Sequence, residues 1–213
     1  MLVFEVITHP SMLYHFTSGD SLRKIINEDM LEDRTTHEID GEIFDGVSLT
    51  RDHNLNLLAT YAVSGHKPFR LGLDRDKLKQ KYKIIPIRDK NYQKFHKAKT
   101  HKSNYLSNIM MHDVIVPVNE SEEFVVGSIN PLTRYWKELV VDPNFIDIII
   151  NHNDGEDYDE NEQTLMDIMY GTFRMYKEHA KRPIRLPNTV DFYETDLQGY
   201  PGHKSERKII PRR

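Results

Sequence analysis

Four short stretches carry residue types that could act together on one bond. "LYHFTS" at 13–18 sets His15 between Tyr14 and Thr17 in an apolar run. "GVSLTRD" at 46–52 offers Ser48, Thr50 and Arg51, and "ATY" at 59–61 ends on Tyr61. "ESEEFVVG" at 120–127 crowds three acids before an apolar run, and Glu123 is the last of them. A carboxylate at the mouth of a buried strand gives up solvation, so it must have partners or a task there.

The set suits cleavage of a glycosidic bond with a cationic leaving group, as when nicotinamide departs from the ribose of NAD. A carboxylate near that sugar stabilises the oxocarbenium-like centre and can hold the 2′-hydroxyl. An imidazole with an available ring nitrogen can hydrogen-bond the adenosine-side ribose. A phenol ring can stack on the nicotinamide, and a guanidinium can grip the pyrophosphate or orient an acceptor. No metal is required, and His53, His66, His96, His101 and His112 lack a ligand spacing. Plainer roles stay open for each residue. His15 can be a satisfied core histidine, Tyr61 can pack on a helix face, Arg51 can pair with Asp52, and Glu123 can cap a turn.

The elements that must place these residues follow from the apolar spacing. "LVFEVI" and "MLYHFTS" read as strands, and "SGDSLRKIINEDML" reads as a helix capped by Ser18 or Asp20. Its Leu22, Ile25, Ile26 and Met30 share one face. Residues 32–45 are polar and read as a loop. "GVSLTRD", "FRLGLD", "HDVIVPVN" and "EFVVGSIN" read as strands, and "YWKELVVD" as a turn running into a strand. "PNFIDIIINH" reads as a further strand. "HNLNLLATYAVS" and "RDKLKQKY" read as helical. A longer amphipathic helix spans 161–182, with Leu165, Ile168, Met169, Phe173 and Tyr176 on one side. Four prolines, little periodicity and a basic end from Pro183 onward read as an extended or disordered tail.

A chain of 213 residues suits one ordinary domain with an extension. The net charge of -4 argues against wholesale coating of nucleic acid. Residues 75–104 nevertheless hold eleven lysines and arginines against two acids, which suits either a solvated surface or contact with a phosphate backbone. There is no cysteine, so disulfides and thiolate chemistry are excluded. The acidic stretch "NDGEDYDENE" lacks the alternating spacing of a calcium loop. No run approaches the roughly 18 apolar residues of a membrane helix, and the first residues lack a basic n-region. The expectation is a cytoplasmic protein with no membrane partner.

The motifs together resemble the ADP-ribosyltransferase fold, in its H-Y-E branch. "LYHFTS", the strand "GVSLT" leading to "ATY", and "EEFVV" stand in that family's order over roughly residues 12–150. The likeness is nearest to the DarT-type DNA ADP-ribosyltransferase toxins and to phage-encoded relatives, whose strand-end arginine Arg51 would match. Phe16 departs from the glycine that many members carry, and Glu120 with Glu122 could be read as the E-x-E pair of another branch. The resemblance implies an α+β fold with split central β-sheets and flanking helices, followed by a C-terminal helix and tail. It divides the chain into an ADP-ribosyltransferase-like domain at 1–150, an acidic loop and helix at 151–182, and a tail at 183–213. It implies catalytic roles for Glu123 and Arg51 and NAD contacts for His15, Tyr14, Thr17, Ser48 and Tyr61. NAD is then the co-substrate, DNA or protein the acceptor, and the host cytoplasm or a virion the setting. The rival expectation is a non-catalytic module on the same fold, such as a phage particle component that assembles through its tail.

Overall fold

The computed structural model describes residues 12–39, 41–51, 67–86, 122–151, 157–174, 177, 179–194 and 207–209. The expected strands over "LVFEVI" and "HDVIVPVN", the helix bearing Tyr61, and the first part of the acidic loop lie outside the described residues.

The architecture is mixed α+β. Strand β1 (Met12–Thr17) leads through Ser18 into helix α1 (Gly19–Glu28). Leu22 and Ile25 are its buried residues, as the spacing requires. β2 (Thr35–Ile39) and β3 (Glu42–Thr50) then pair as a hairpin. Residues 35–39 and 42–45 are therefore strand and not the expected loop. Their polarity reflects a hairpin wet on both sides, where Ile43 is 73% exposed. β4 (Phe69–Asp74) follows, then helix α2 (Arg75–Lys81), β5 (Ile84–Pro86) and β6 (Glu122–Val126). A 3-10 turn (Leu132–Arg134) precedes β7 (Trp136–Val141).

Helix α3 (Pro143–Ile150) stands where the apolar run reads as a strand. Asp142 accepts a hydrogen bond from the Asn144 N–H, and Pro143 occupies the first turn. Both are helix-start signals that outweigh an apolar run too short to show its period. Helix α4 (Glu160–Phe173) opens on a capping box between Asp159 and Glu162 and ends at Arg174 in the left-handed region, well short of residue 182. β8 (Asp191–Glu194) and β9 (Arg207–Lys208) complete the described elements.

The nine strands form one open mixed sheet in the order β5-β6-β3-β1-β4-β7-β8-β9, with β2 on the outer part of β3. One seam divides it. β1 pairs with β4 through six residue pairs, but among the described residues β1 meets β3 at the single pair Tyr14 and Thr50. On one face Leu13, Leu71, Leu139, Val47, Val125 and Phe192 form the core with Leu22 of α1 and Leu165, Ile168 and Met169 of α4. Gly19 lets α1 approach α4 closely, since a Cβ there would lie 2.6 Å from the Glu160 carbonyl.

The segment after Pro183 corrects the reading of a tail. Ile184, Leu186 and Phe192 are buried in the main core, and β8 adds to the sheet in parallel with β7. Asp167 of α4 holds this segment in place. Its carboxylate is 1% exposed and accepts from Arg23 of α1 at 2.8 Å and Gln163 at 3.0 Å. The backbone N–H groups of Lys181 and Arg182 donate to the same carboxylate at 2.8 and 3.1 Å. Among the described residues, no helix is long and apolar enough to cross a membrane.

Candidate active site

Side chains alternate across a strand, so register decides which residues can share a surface. Leu49 stands opposite Glu123, and Thr50 stands opposite both Glu122 and Tyr14. One residue further along the antiparallel pair, His15 falls level with Leu49. His15, Leu49 and Glu123 thus form one row across β1, β3 and β6, on the sheet face that bears the core. Two strand spacings separate the outer members, about 10 Å. That row crosses the seam.

The same alternation removes two expected contacts from this surface. Tyr14 points to the opposite face, where its ring lies 4.7 Å from the Arg70 guanidinium carbon. Ser48 also faces away, and its backbone carbonyl, not its hydroxyl, meets His15. Thr17 shares the His15 face, but its hydroxyl donates to the adjacent Ser18 carbonyl at 3.4 Å. Tyr61 is outside the described residues.

Glu123 is 2% exposed and held by two guanidinium groups. Arg51 donates from Nε to Oε1 at 2.8 Å, and its Nη2 reaches the same oxygen. Arg75 donates from Nε to Oε2 at 2.7 Å and from Nη2 to Oε1 at 2.6 Å. Burial pushes the Glu123 carboxyl up, but the bonds and charges of Arg75 and Arg51 outweigh it and hold the group below its ordinary value. The carboxylate is therefore ionised although it is buried.

The sequence reading missed Arg75, which stood only as one member of a basic region. β4 and β5 belong to different halves of the sheet, so the α2 connection must cross the seam. Arg75 opens that crossing. The available signal was a cation in the first turn of a helix, where the macrodipole disfavours it.

His15 sits half-buried, and its Nδ1 lies 3.5 Å from the Ser48 carbonyl. A carbonyl only accepts, so Nδ1 carries the proton and Nε2 of the neutral ring is an acceptor. Burial chiefly, with a smaller push from the half-buried Lys67 and against the Ser48 bond, lowers its pKa to about 4. A group depressed on folding contributes stability above its unfolded value of 6.5, and loses it as pH falls toward 4. The wild type should lose roughly 2 kcal/mol between pH 7 and pH 4.5 from this residue, after discounting its partial exposure. Urea unfolding of His15→Gln at both pH values should show that much less acid sensitivity.

The basic stretch is described as far as residue 86. Lys77 and Lys79 of α2 are exposed around the buried Leu78, while Lys81 donates to the Asn130 carbonyl at 2.8 Å and Lys83 lies 4.4 Å from the Phe44 ring centre. Part of this charge is thus used within the fold. No cluster of potential metal ligands occurs among the described residues.

Comparison of the chain with protein-family models, curated proteins and solved structures gave no match.

Proposed function

We propose that this protein is an ADP-ribosyltransferase, which moves ADP-ribose from NAD to a macromolecular acceptor and releases nicotinamide. One observation carries the reading: an ionised, buried carboxylate and a neutral imidazole share a row across the seam of the sheet. The seam, crossed by a single residue pair among the described residues, also supports the split-sheet form of the fold. In this reading the His15 Nε2 accepts from the adenosine-side ribose. Glu123 faces the nicotinamide ribose, holds its 2′-hydroxyl and stabilises charge on C1′ as the bond to the nicotinamide nitrogen breaks. The acceptor then bonds to C1′ and gives up its proton. Arg51, at 44% exposure, is placed for the phosphates or the acceptor. The exposed Lys77 and Lys79 favour DNA as that acceptor over protein.

Calorimetric titration with NAD, followed by transfer from labelled NAD to DNA and to cell extract, tests the proposal. Binding of NAD with label passed to one acceptor is expected, and failure to bind NAD overturns it.

A second reading has one observation in its favour: both oxygens of Glu123 already carry guanidinium donors, as a binding module without chemistry would allow. It predicts no NAD binding and assembly with other chains. Deletion from Pro183 would remove core residues, so its assembly test must truncate after residue 194.

A further inference from the structure

We propose that Arg75 is the positioning residue of this site, the resident cation that keeps Glu123 ionised and aimed while Arg51 is exchanged toward a ligand. The inference rests on the transferase reading. It starts from an asymmetry in how the two arginines bind. Arg75 is bidentate and reaches both carboxylate oxygens. Arg51 places both its bonds on Oε1. Among the described residues Oε2 has Arg75 as its donor. Removing Arg51 leaves the carboxylate with a complete fork-shaped partner, whereas removing Arg75 strips one oxygen of a side chain that is almost fully buried.

Exposure runs the same way. Arg75 is 15% exposed and Arg51 44%. The three groups sum to one positive charge, so one guanidinium is in excess of what Glu123 needs. The excess lies with the arginine that solvent and a phosphate can reach. Arg75 cannot take that part without leaving Oε2 desolvated. Its place in the chain also fits a fixed role. The Asp74 cap and the buried Leu78 fix the start of α2, so the Arg75 backbone is anchored on both sides. Among the described residues, the charged groups around Glu123 are Arg51 from the end of β3 and Arg75 from α2, with Asp76 beyond Arg75; the titratable but neutral His15 lies across β3.

The test uses the full chain with Arg75→Gln, Arg75→Lys and Arg51→Gln. Arg75→Gln should lower kcat about 100-fold with little change in KM for NAD. The acid limb of its pH–rate profile should move up by about one unit as Glu123 becomes easier to protonate. Arg75→Lys, which keeps the charge, should restore that limb. Arg51→Gln should raise KM and move the limb by less, since Arg75 still reaches both carboxylate oxygens. A role in packing alone would not move the limb, so an unmoved limb in Arg75→Gln overturns the proposal. Should the wild type turn over no NAD, the transferase reading fails, and the Arg75 assignment is then decided by thermal unfolding from pH 3.5 to 7. The pH at which stability falls should rise by about one unit in Arg75→Gln and by less in Arg51→Gln. Equal shifts, or a larger one in Arg51→Gln, overturn it. Inorganic pyrophosphate should stabilise the wild type against heat and Arg51→Gln much less; equal stabilisation of both overturns the exchange of Arg51.

Discussion

Glu123→Gln is expected to cut nicotinamide release from NAD by about 10²–10³-fold, with NAD still bound. The substitution keeps the side-chain shape and removes the charge that would face C1′ as positive charge grows there. Loss of one such preorganised electrostatic contact is worth roughly 3–4 kcal/mol of barrier. The same change reaches the fold. Glutamine brings an N–H₂ group toward donors of Arg51 and Arg75, and a buried pair stripped of its anion costs on the order of 3 kcal/mol. Activity should therefore be read well below the lowered melting temperature, with far-UV circular dichroism confirming a folded chain. NAD titrated by calorimetry into the same sample separates lost chemistry from lost binding. Release equal to that of the wild type would remove Glu123 from the reaction.

Asp167→Ala is expected to be the most destabilising single change, at about 3–5 kcal/mol. The residue is not a surface ion pair of little worth. Its carboxylate joins α1, α4 and the chain beyond α4 through Arg23, Gln163 and two backbone N–H groups. Truncation leaves the Arg23 guanidinium without its anion and the Lys181 and Arg182 amides without this acceptor, each a cost in its own right. Asp167→Asn keeps an acceptor for the amides and should lose roughly half as much. Urea unfolding at neutral pH measures both. Equal losses would mean that charge, and not acceptor geometry, dominates.

The sequence made some of this legible through period and caps. The β1–α1 unit, β4 with α2, and the turn into β7 all follow from apolar spacing bounded by Ser18, Asp74 and Pro131. The strand assigned to 143–152 fails because eight consecutive helical residues rich in isoleucine carry little period, and the Asp142–Pro143 start was the better guide. The hairpin part over 35–39 and 42–45 is hidden because a strand with two wet faces has no alternation to show. The segment after Pro183 is hidden for the opposite reason. Its buried residues, Ile184, Leu186 and Phe192, are too few and too irregularly spaced to register as a face. At the site, chemistry by residue type singles out His15, Arg51 and Glu123. Side-chain parity, invisible without strand register, turns Tyr14 and Ser48 away. Arg75 depends on a crossover that only the sheet order reveals.

The seam between β1 and β3 joins two blocks of the sheet that share one core but, among the described residues, little backbone pairing. Amide protons at the β1–β3 junction should exchange with deuterium sooner than those of the ladder between β1 and β4, since one bridging pair protects them. A dinucleotide laid from His15 to Glu123 would act as a clasp over that joint. It would slow exchange in strands it never touches and tie the unfolding of the two blocks into one event.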